Sequence, residues 1–156
     1  MSTAISDKFG PEAFQAIMQQ VFGSAVPHVQ ALGITVEHFS GEEVLMRLPY
    51  RDIFLADPDR RLLHGGVVTT LIDTACGLGV VAALDPPRPV ATLDLRIDYL
   101  KPGAAERDLL CRALCYRITS RIAFARAEAF HPGEETSPIA AAMGSFMLSD
   151  LPGGGG

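Results

Sequence analysis

The sequence predicts an α+β fold in which an antiparallel β-sheet curls around one long central helix. Three observations carry this. A single long segment, roughly residues 65–84, is apolar nearly all round, so as a helix it must be buried. The segments around it read as strands joined by hairpin signals, which makes the sheet antiparallel. The 156 residues, 48% of them hydrophobic, suit one domain with one well-filled core.

The elements follow in order. Residues 11–23, PEAFQAIMQQVFG, read as a helix, with Pro11 at its first position and Gly23 at its end. Phe14, Ile17, Met18, Val21 and Phe22 form one apolar stripe along it, a docking face. GITVEHF and EEVLMRLP read as two strands joined at Ser40-Gly41. An irregular loop is expected from Tyr50 to about Leu63, because Pro58 sits in the cluster DPDRR. The long helix then runs to DPPRP, where proline cannot continue it.

Four strands make up the rest. In VATLDLRIDYLKP, alternation places Leu93, Leu95, Ile97 and Tyr99 on one face and Thr92, Asp94, Arg96 and Asp98 on the other. ERDLLCRALCYRIT, RIAFARAEAF and PIAAAMGSFMLS follow. Ala123, Ala125, Ala127 and Ala129 share one face, and the last strand adds Ala140, Ala142 and Gly144. Faces this small let a helix or sheet approach closely. The expected division is an N-terminal helical segment over 1–29, the main domain over 30–149 and a Gly-rich tail over 150–156.

Composition excludes several function classes. A net charge of −5 argues against a nucleic-acid surface, which would carry a basic patch. No bilayer-spanning segment is expected: the best candidate, Val67 to Leu84, contains Asp73, three threonines and two glycines. MSTAISDKFG lacks the basic start and apolar core of a signal peptide, so a soluble cytoplasmic protein is expected. Three cysteines, an odd count, fit a reducing compartment. Cys111 and Cys115 on one strand would stand roughly 13 Å apart, beyond disulfide reach. No Cys-x-x-Cys occurs and the four histidines are scattered, so no metal site is expected.

The stretch LLHGGVVTTLID, residues 62–73, carries the chemistry. A helix start presents unpaired N–H groups and a partial positive charge. Gly65 and Gly66 there make a cradle for a carbonyl oxygen that gains negative charge, or else a plain helix cap. Asp73 sits among Leu71, Ile72, Ala75 and Cys76, where a carboxylate is costly unless paired or used. A half-buried carboxylate commonly has a raised pKa and serves as base or nucleophile. Eight residues of helix separate Gly65 from Asp73 by about 12 Å. One helix therefore cannot bring both to one carbonyl. If both act, two copies lie antiparallel and the protein is a symmetric homodimer.

These residues resemble the phenylacetate-degradation (PaaI-like) family of hotdog-fold acyl-CoA thioesterases. HGG followed by LID, with His64 nine residues before Asp73, matches the family's helix motif. LDLRIDYLKPG and SRIAFARAEAF match its next and next-to-last strands, and the resemblance covers roughly residues 30–149. It implies the hotdog fold, dimers paired into homotetramers, and hydrolysis of acyl-CoA thioesters, with coenzyme A as part of the substrate and no separate cofactor. It implies that Asp73 activates water or attacks the thioester. The Gly65 N–H, with Gly66 nearby, would polarise the carbonyl from the partner subunit. His64 would shape the helix entrance and Thr92 would position the water, which requires a twist or bulge in its strand. The family has Asn or Gln six residues before the histidine; here that position is Pro58, between Asp57 and Asp59.

Two other activities fit such a chain: an acyl-thioester hydratase or dehydratase, and an acyl-CoA-binding protein without turnover. The former pairs a histidine with an acid, and no such pair recommends itself here. Phosphates of coenzyme A need cations or backbone donors. Arg60, Arg61, Lys101, Arg117 and Arg121 are the candidates, with Arg121 in the SRIAF turn foremost. Ile53, Phe54 and Leu55 are candidates to line an acyl pocket.

Overall fold

The computed structural model describes residues 25–149, together with Ala13 and Ala16. The helix expected over 11–23 lies outside the described residues, apart from those two alanines, and so does the tail from 150 to 156.

A short helix, α1 (Pro27–Leu32), comes first. Pro27 supplies a preset φ at its start, and Gly33 ends it in the left-handed conformation at φ 73°. The helix runs across the boundary expected at residues 29/30, and its Val29 is buried in the core. Strands β1 (Thr35–Phe39) and β2 (Val44–Leu48) form the expected hairpin. Ser40 fixes the turn: its Oγ accepts from the Glu42 and Glu43 N–H groups at 3.3 and 3.1 Å.

The region expected to be irregular is ordered. A 3₁₀ turn (Asp52–Phe54) leads into β3 (Leu55–Asp57), which pairs with β4 (Leu62–Leu63) as a separate two-stranded hairpin. Asp57 Oδ1 accepts from the Arg60 N–H at 2.9 Å and closes the turn over Pro58, while Arg61 adopts φ 55°. The aspartate thus serves the turn chemistry that its short side chain favours.

The long helix α2 (Gly65–Ala83) and strands β5 (Val90–Tyr99), β6 (Leu109–Ile118), β7 (Ile122–Phe130) and β8 (Ala140–Leu148) complete the chain. The six-stranded sheet has the order β1-β2-β6-β7-β8-β5, antiparallel throughout. It curls round α2, whose Leu71, Ile72, Ala75, Cys76, Leu78 and Val80 are fully buried. The alanine face of β7 lies on this concave side, with Ala123, Ala125 and Ala129 at 0% exposure. Helix and sheet come close: a Cβ added at Gly79 would stand 3.5 Å from the Ala113 backbone of β6.

The sequence expectation of no bilayer-length segment needs correcting. By length and hydropathy, 19 residues with an 18-residue window at a mean hydropathy of 1.7, α2 is apolar enough to cross a membrane. Here it is the core helix, enclosed by the sheet. Among the described strands β5 and β1 are the two edges. β5 is ten residues long and mostly exposed, so its outer row of N–H and C=O groups is a ready template for another strand.

Candidate functional site

Asp73 stands half-buried in the middle of α2, facing the start of β5. Plain alternation would turn Thr92 away from it, on the same face as Asp94. The strand prevents this with a bulge. Thr92 lies opposite Phe146 and Asp94 opposite Ser145, so Leu93 has no partner on β8. Leu93 turns outward, 52% exposed, instead of joining the apolar face that alternation assigned it. Thr92 turns inward, and its Oγ1 donates to Asp73 Oδ1 at 2.9 Å. One turn along the helix, burial and then the Asp73 charge push the Cys76 thiol up to about 12. That thiol stays protonated at neutral pH and is no nucleophile.

The start of α2 is held as firmly. His64 is its N-cap, in an extended conformation, and His64 Nδ1 accepts from the Gly66 N–H at 2.9 Å. The carbonyl of Gly65 lies 2.9 Å from the Tyr99 hydroxyl and 3.1 Å from Thr69 Oγ1, and those two hydroxyls are 2.6 Å apart. The peptide between Gly65 and Gly66 is therefore clamped at both its N–H and its C=O. Of the two amides expected to form a cradle, that of Gly66 is used by the cap. The Gly65 N–H has no acceptor among the described residues and lies at the positive end of the helix. Tyr99 escaped the sequence reading, which placed it in an apolar stripe.

Beside Asp73 opens a groove of about 740 Å³, within the usual size of small-molecule sites. Val26 and Val29 on the α1 side, Leu78 and Val81 of α2, and Val90 and Phe146 of the sheet make its apolar walls. Asp73, Thr74 and Thr92 are polar members of the lining, and Arg88 is its one cation among the described residues. Arg88 was not singled out from the sequence, because it sits in the proline cluster that ends α2. Ile53, Phe54 and Leu55, the acyl-pocket candidates, do not line this groove. Ile53 is 76% exposed and Phe54 is part of the core.

The candidate cations divide into two groups. Arg61 is paired with Glu106 at 2.8 Å and Asp52 at 3.5 Å, and Lys101 with Glu134 at 2.8 Å. Arg60 is highly exposed beside Asp57 at 3.6 Å. Arg117 and Arg121 are exposed and form no ion pair among the described residues. The Arg121 carbonyl accepts from the Leu148 N–H at 2.8 Å, which places it two strands from β5, level with Val90. Pro58, where an amide side chain would face a substrate in the resembling family, is in the β3–β4 turn.

A helix wrapped by a curled antiparallel sheet is the hotdog fold, and the carboxylate at mid-length and the open amide at the helix start make up its candidate site. Comparison with known proteins agrees on the fold. Residues 61–137 match the model of the thioesterase superfamily. A candidate esterase of Halobacterium salinarum is 38% identical over 124 residues, covering 75% of this chain and 81% of that one. The medium/long-chain acyl-CoA thioesterase YigI of Escherichia coli is 29% identical over 145 residues, 85% of this chain and 92% of its own. Among solved structures, a Pseudomonas aeruginosa protein is 37% identical with a TM-score of 0.77, covering 86% of this chain and 98% of that one. A variant of the phenylacetic acid degradation protein PaaI of Thermus thermophilus is 27% identical with a TM-score of 0.68, covering 80% and 100%. The chain belongs to the thioesterase superfamily and is a PaaI-like hotdog protein.

Proposed function

We propose that this thioesterase hydrolyses acyl-CoA to the free acid and coenzyme A, with Asp73 as general base. The carrying observation is the 2.9 Å hydrogen bond from Thr92 to Asp73 at the edge of an apolar groove. The Thr92 hydroxyl spends its proton on Asp73 Oδ1, so its lone pairs can accept from a water molecule. The same water donates its other proton to the carboxylate. Proton transfer to Asp73 accompanies attack of the water oxygen on the thioester carbonyl. The carbonyl oxygen becomes an oxyanion held by a Gly65 N–H. Collapse breaks the C–S bond, and the proton on Asp73 passes to the departing thiolate. Water and substrate are the only reactants, and no cofactor enters.

The Gly65 in question belongs to a second subunit, since about 12 Å separates the two groups within one helix. Strand β5 supports a dimer of the right geometry. Two β5 edges paired antiparallel about Arg96, with Leu93 of each strand left out by its bulge, set Thr92 opposite the partner subunit's Tyr99. In each chain Thr92 holds Asp73 and Tyr99 holds Gly65. This register therefore brings each Asp73 towards the other Gly65. Pairing of such dimers into tetramers, and contact of Arg121 and Arg117 with coenzyme A phosphates, are further parts of the proposal.

The test is thiol release from a panel of short, long and aromatic acyl-CoAs. Asp73→Asn keeps the shape and removes the base, and turnover falls by roughly 10²–10⁴. Unchanged turnover in that variant removes Asp73 from the mechanism. In a single turnover in ¹⁸O-water, the label enters the product acid and not Asp73. Label in Asp73 would make the residue the nucleophile instead.

A further inference from the structure

We infer that the acyl chain lies along α2 in the groove from Asp73 to Val81, passing over Gly77, and that Gly77 sets the chain length accepted. This rests on the thioesterase reading above and adds the identity of the acyl group: an unbranched apolar chain of medium length.

The groove has a direction that can be read from the elements beside it. Asp73, Gly77 and Val81 recur every four residues and share one face of α2. Thr92 stands beside Asp73 at 2.9 Å. Val90 stands beside Gly77, since a Cβ added there would lie 3.9 Å from Val90 Cγ2 and 3.7 Å from Phe146 Cε1. Helix residues 73 and 77 thus run alongside residues 92 and 90 of the strand, and Val81 and Arg88 line the same groove. Four helix residues and two strand residues each advance about 6 Å. The groove is about 12 Å long from the carboxylate to Val81.

Gly77 is midway, and nothing in the backbone asks for glycine there. The glycines with positive φ are Gly33 and Gly133. A Cβ at position 77 meets only ordinary contacts with Phe146 and Val90. A glycine inside a helix is less favourable than alanine. What its missing side chain does provide is depth in the groove wall. A larger side chain would fill the groove between Asp73 and Val81 and leave both ends intact.

The occupant follows from the walls. Val26, Val29, Leu78, Val81 and Phe146 offer no hydrogen-bond partner along the length. An alkyl chain gains by burial there. The pantetheine arm of coenzyme A carries two amides, which would be stranded against those walls.

The experiment compares kcat/KM for butanoyl-, octanoyl- and dodecanoyl-CoA in the wild type, Gly77→Ala and Gly77→Leu. Gly77→Leu lowers the value for dodecanoyl-CoA about tenfold or more, the loss of burying some two methylenes, and spares butanoyl-CoA. Gly77→Ala lies between, and its better helix propensity keeps its melting temperature at or above the wild type. Equal losses for all three substrates, with weaker inhibition by free coenzyme A, would place the pantetheine in the groove and overturn the inference. An unchanged profile in folded Gly77→Leu would do the same. Calorimetric binding to Asp73→Asn protein separates this from the activity itself. If the wild type hydrolyses none of the thioesters yet binds dodecanoyl-CoA more tightly than butanoyl-CoA, and Gly77→Leu abolishes that preference, the groove assignment stands and hydrolysis is wrong.

Discussion

Thr92 Oγ1 donates to Asp73 Oδ1 at 2.9 Å across the gap between β5 and α2. A hydrogen bond to a charged group is worth about 1.5–3 kcal/mol, which corresponds to roughly 10–100-fold in rate. Thr92→Val removes the hydroxyl and keeps the shape, so kcat falls by that factor. Thr92→Ser restores most of it. A valine variant with full kcat would leave the hydroxyl without a part in turnover.

Tyr99 and Thr69 together fix the carbonyl of the peptide that follows the free Gly65 amide. Loss of one neutral hydrogen bond is worth about 1 kcal/mol, or roughly fivefold. Tyr99→Phe lowers kcat by about that much with KM little changed, because the amide in its proposed role binds the oxyanion and not the ground state. Adding Thr69→Val lowers kcat further. Steady-state kinetics on the two variants check this, and an effect confined to KM would contradict it.

The proposed sharing of Asp73 and Gly65 between subunits predicts complementation. Asp73→Asn and Gly65→Pro are each nearly inactive. His64, at φ −69° and ψ 131°, already has the extended conformation required before proline, and Pro suits the first helical position. After random subunit exchange half the dimers are mixed, and each mixed dimer has one intact site. About a quarter of wild-type activity therefore returns. Exchanged mixtures, folded by circular dichroism, that recover nothing would put both groups in one chain's site.

Arg121, exposed and free of ion pairs among the described residues, predicts a change in recognition. Arg121→Ala raises KM for acyl-CoA and leaves KM for an acyl-pantetheine, which lacks the nucleotide, much as it was. Equal changes for both substrates would assign the arginine to the fold.

The pH dependence of stability has two origins. His131 is 2% exposed; its Nε2 accepts from the Ala104 N–H at 2.9 Å and its Nδ1 lies 2.8 Å from the Asp108 carbonyl. Burial holds its pKa below the ordinary 6.5. The unfolded chain therefore takes up the proton first, and stability declines as pH falls below about 6.5. Glu134, bonded to Lys101 and Arg107, has its carboxyl lowered from 4.5 to about 2. Its contribution is complete above 4.5 and is lost as pH falls towards 2. Melting temperatures from pH 8 to pH 3 fall in both windows, and His131→Gln flattens only the upper one.

The fold was legible because its main signals are local. Two glycines after His64 open α2, DPPRP closes it, and the run between has no polar face to expose. The β1–β2 turn was visible at Ser40-Gly41. What was missed depends on contacts that periodicity does not encode. Strict alternation has no term for an extra residue, so the bulge that Thr92 needs followed from the resemblance alone, and its place at Leu93 came from the structure. Tyr99 is 34 residues from the carbonyl it holds. The β3–β4 hairpin has strands of three and two residues, too short for a pattern. α1 is only six residues long, too short for a periodic pattern. Arg88 looked like part of a turn, and only the return of β5 along α2 brings it to the groove.

The open edge of β5 has a consequence for how much enzyme is needed. If its N–H and C=O row is satisfied only by a second chain, dilution separates the strands and dismantles both sites together. Specific activity then depends on protein concentration, falling as the population shifts to single chains. A substrate bound across the seam would hold the two chains together, so the enzyme would survive greater dilution when it is saturated than when it is idle.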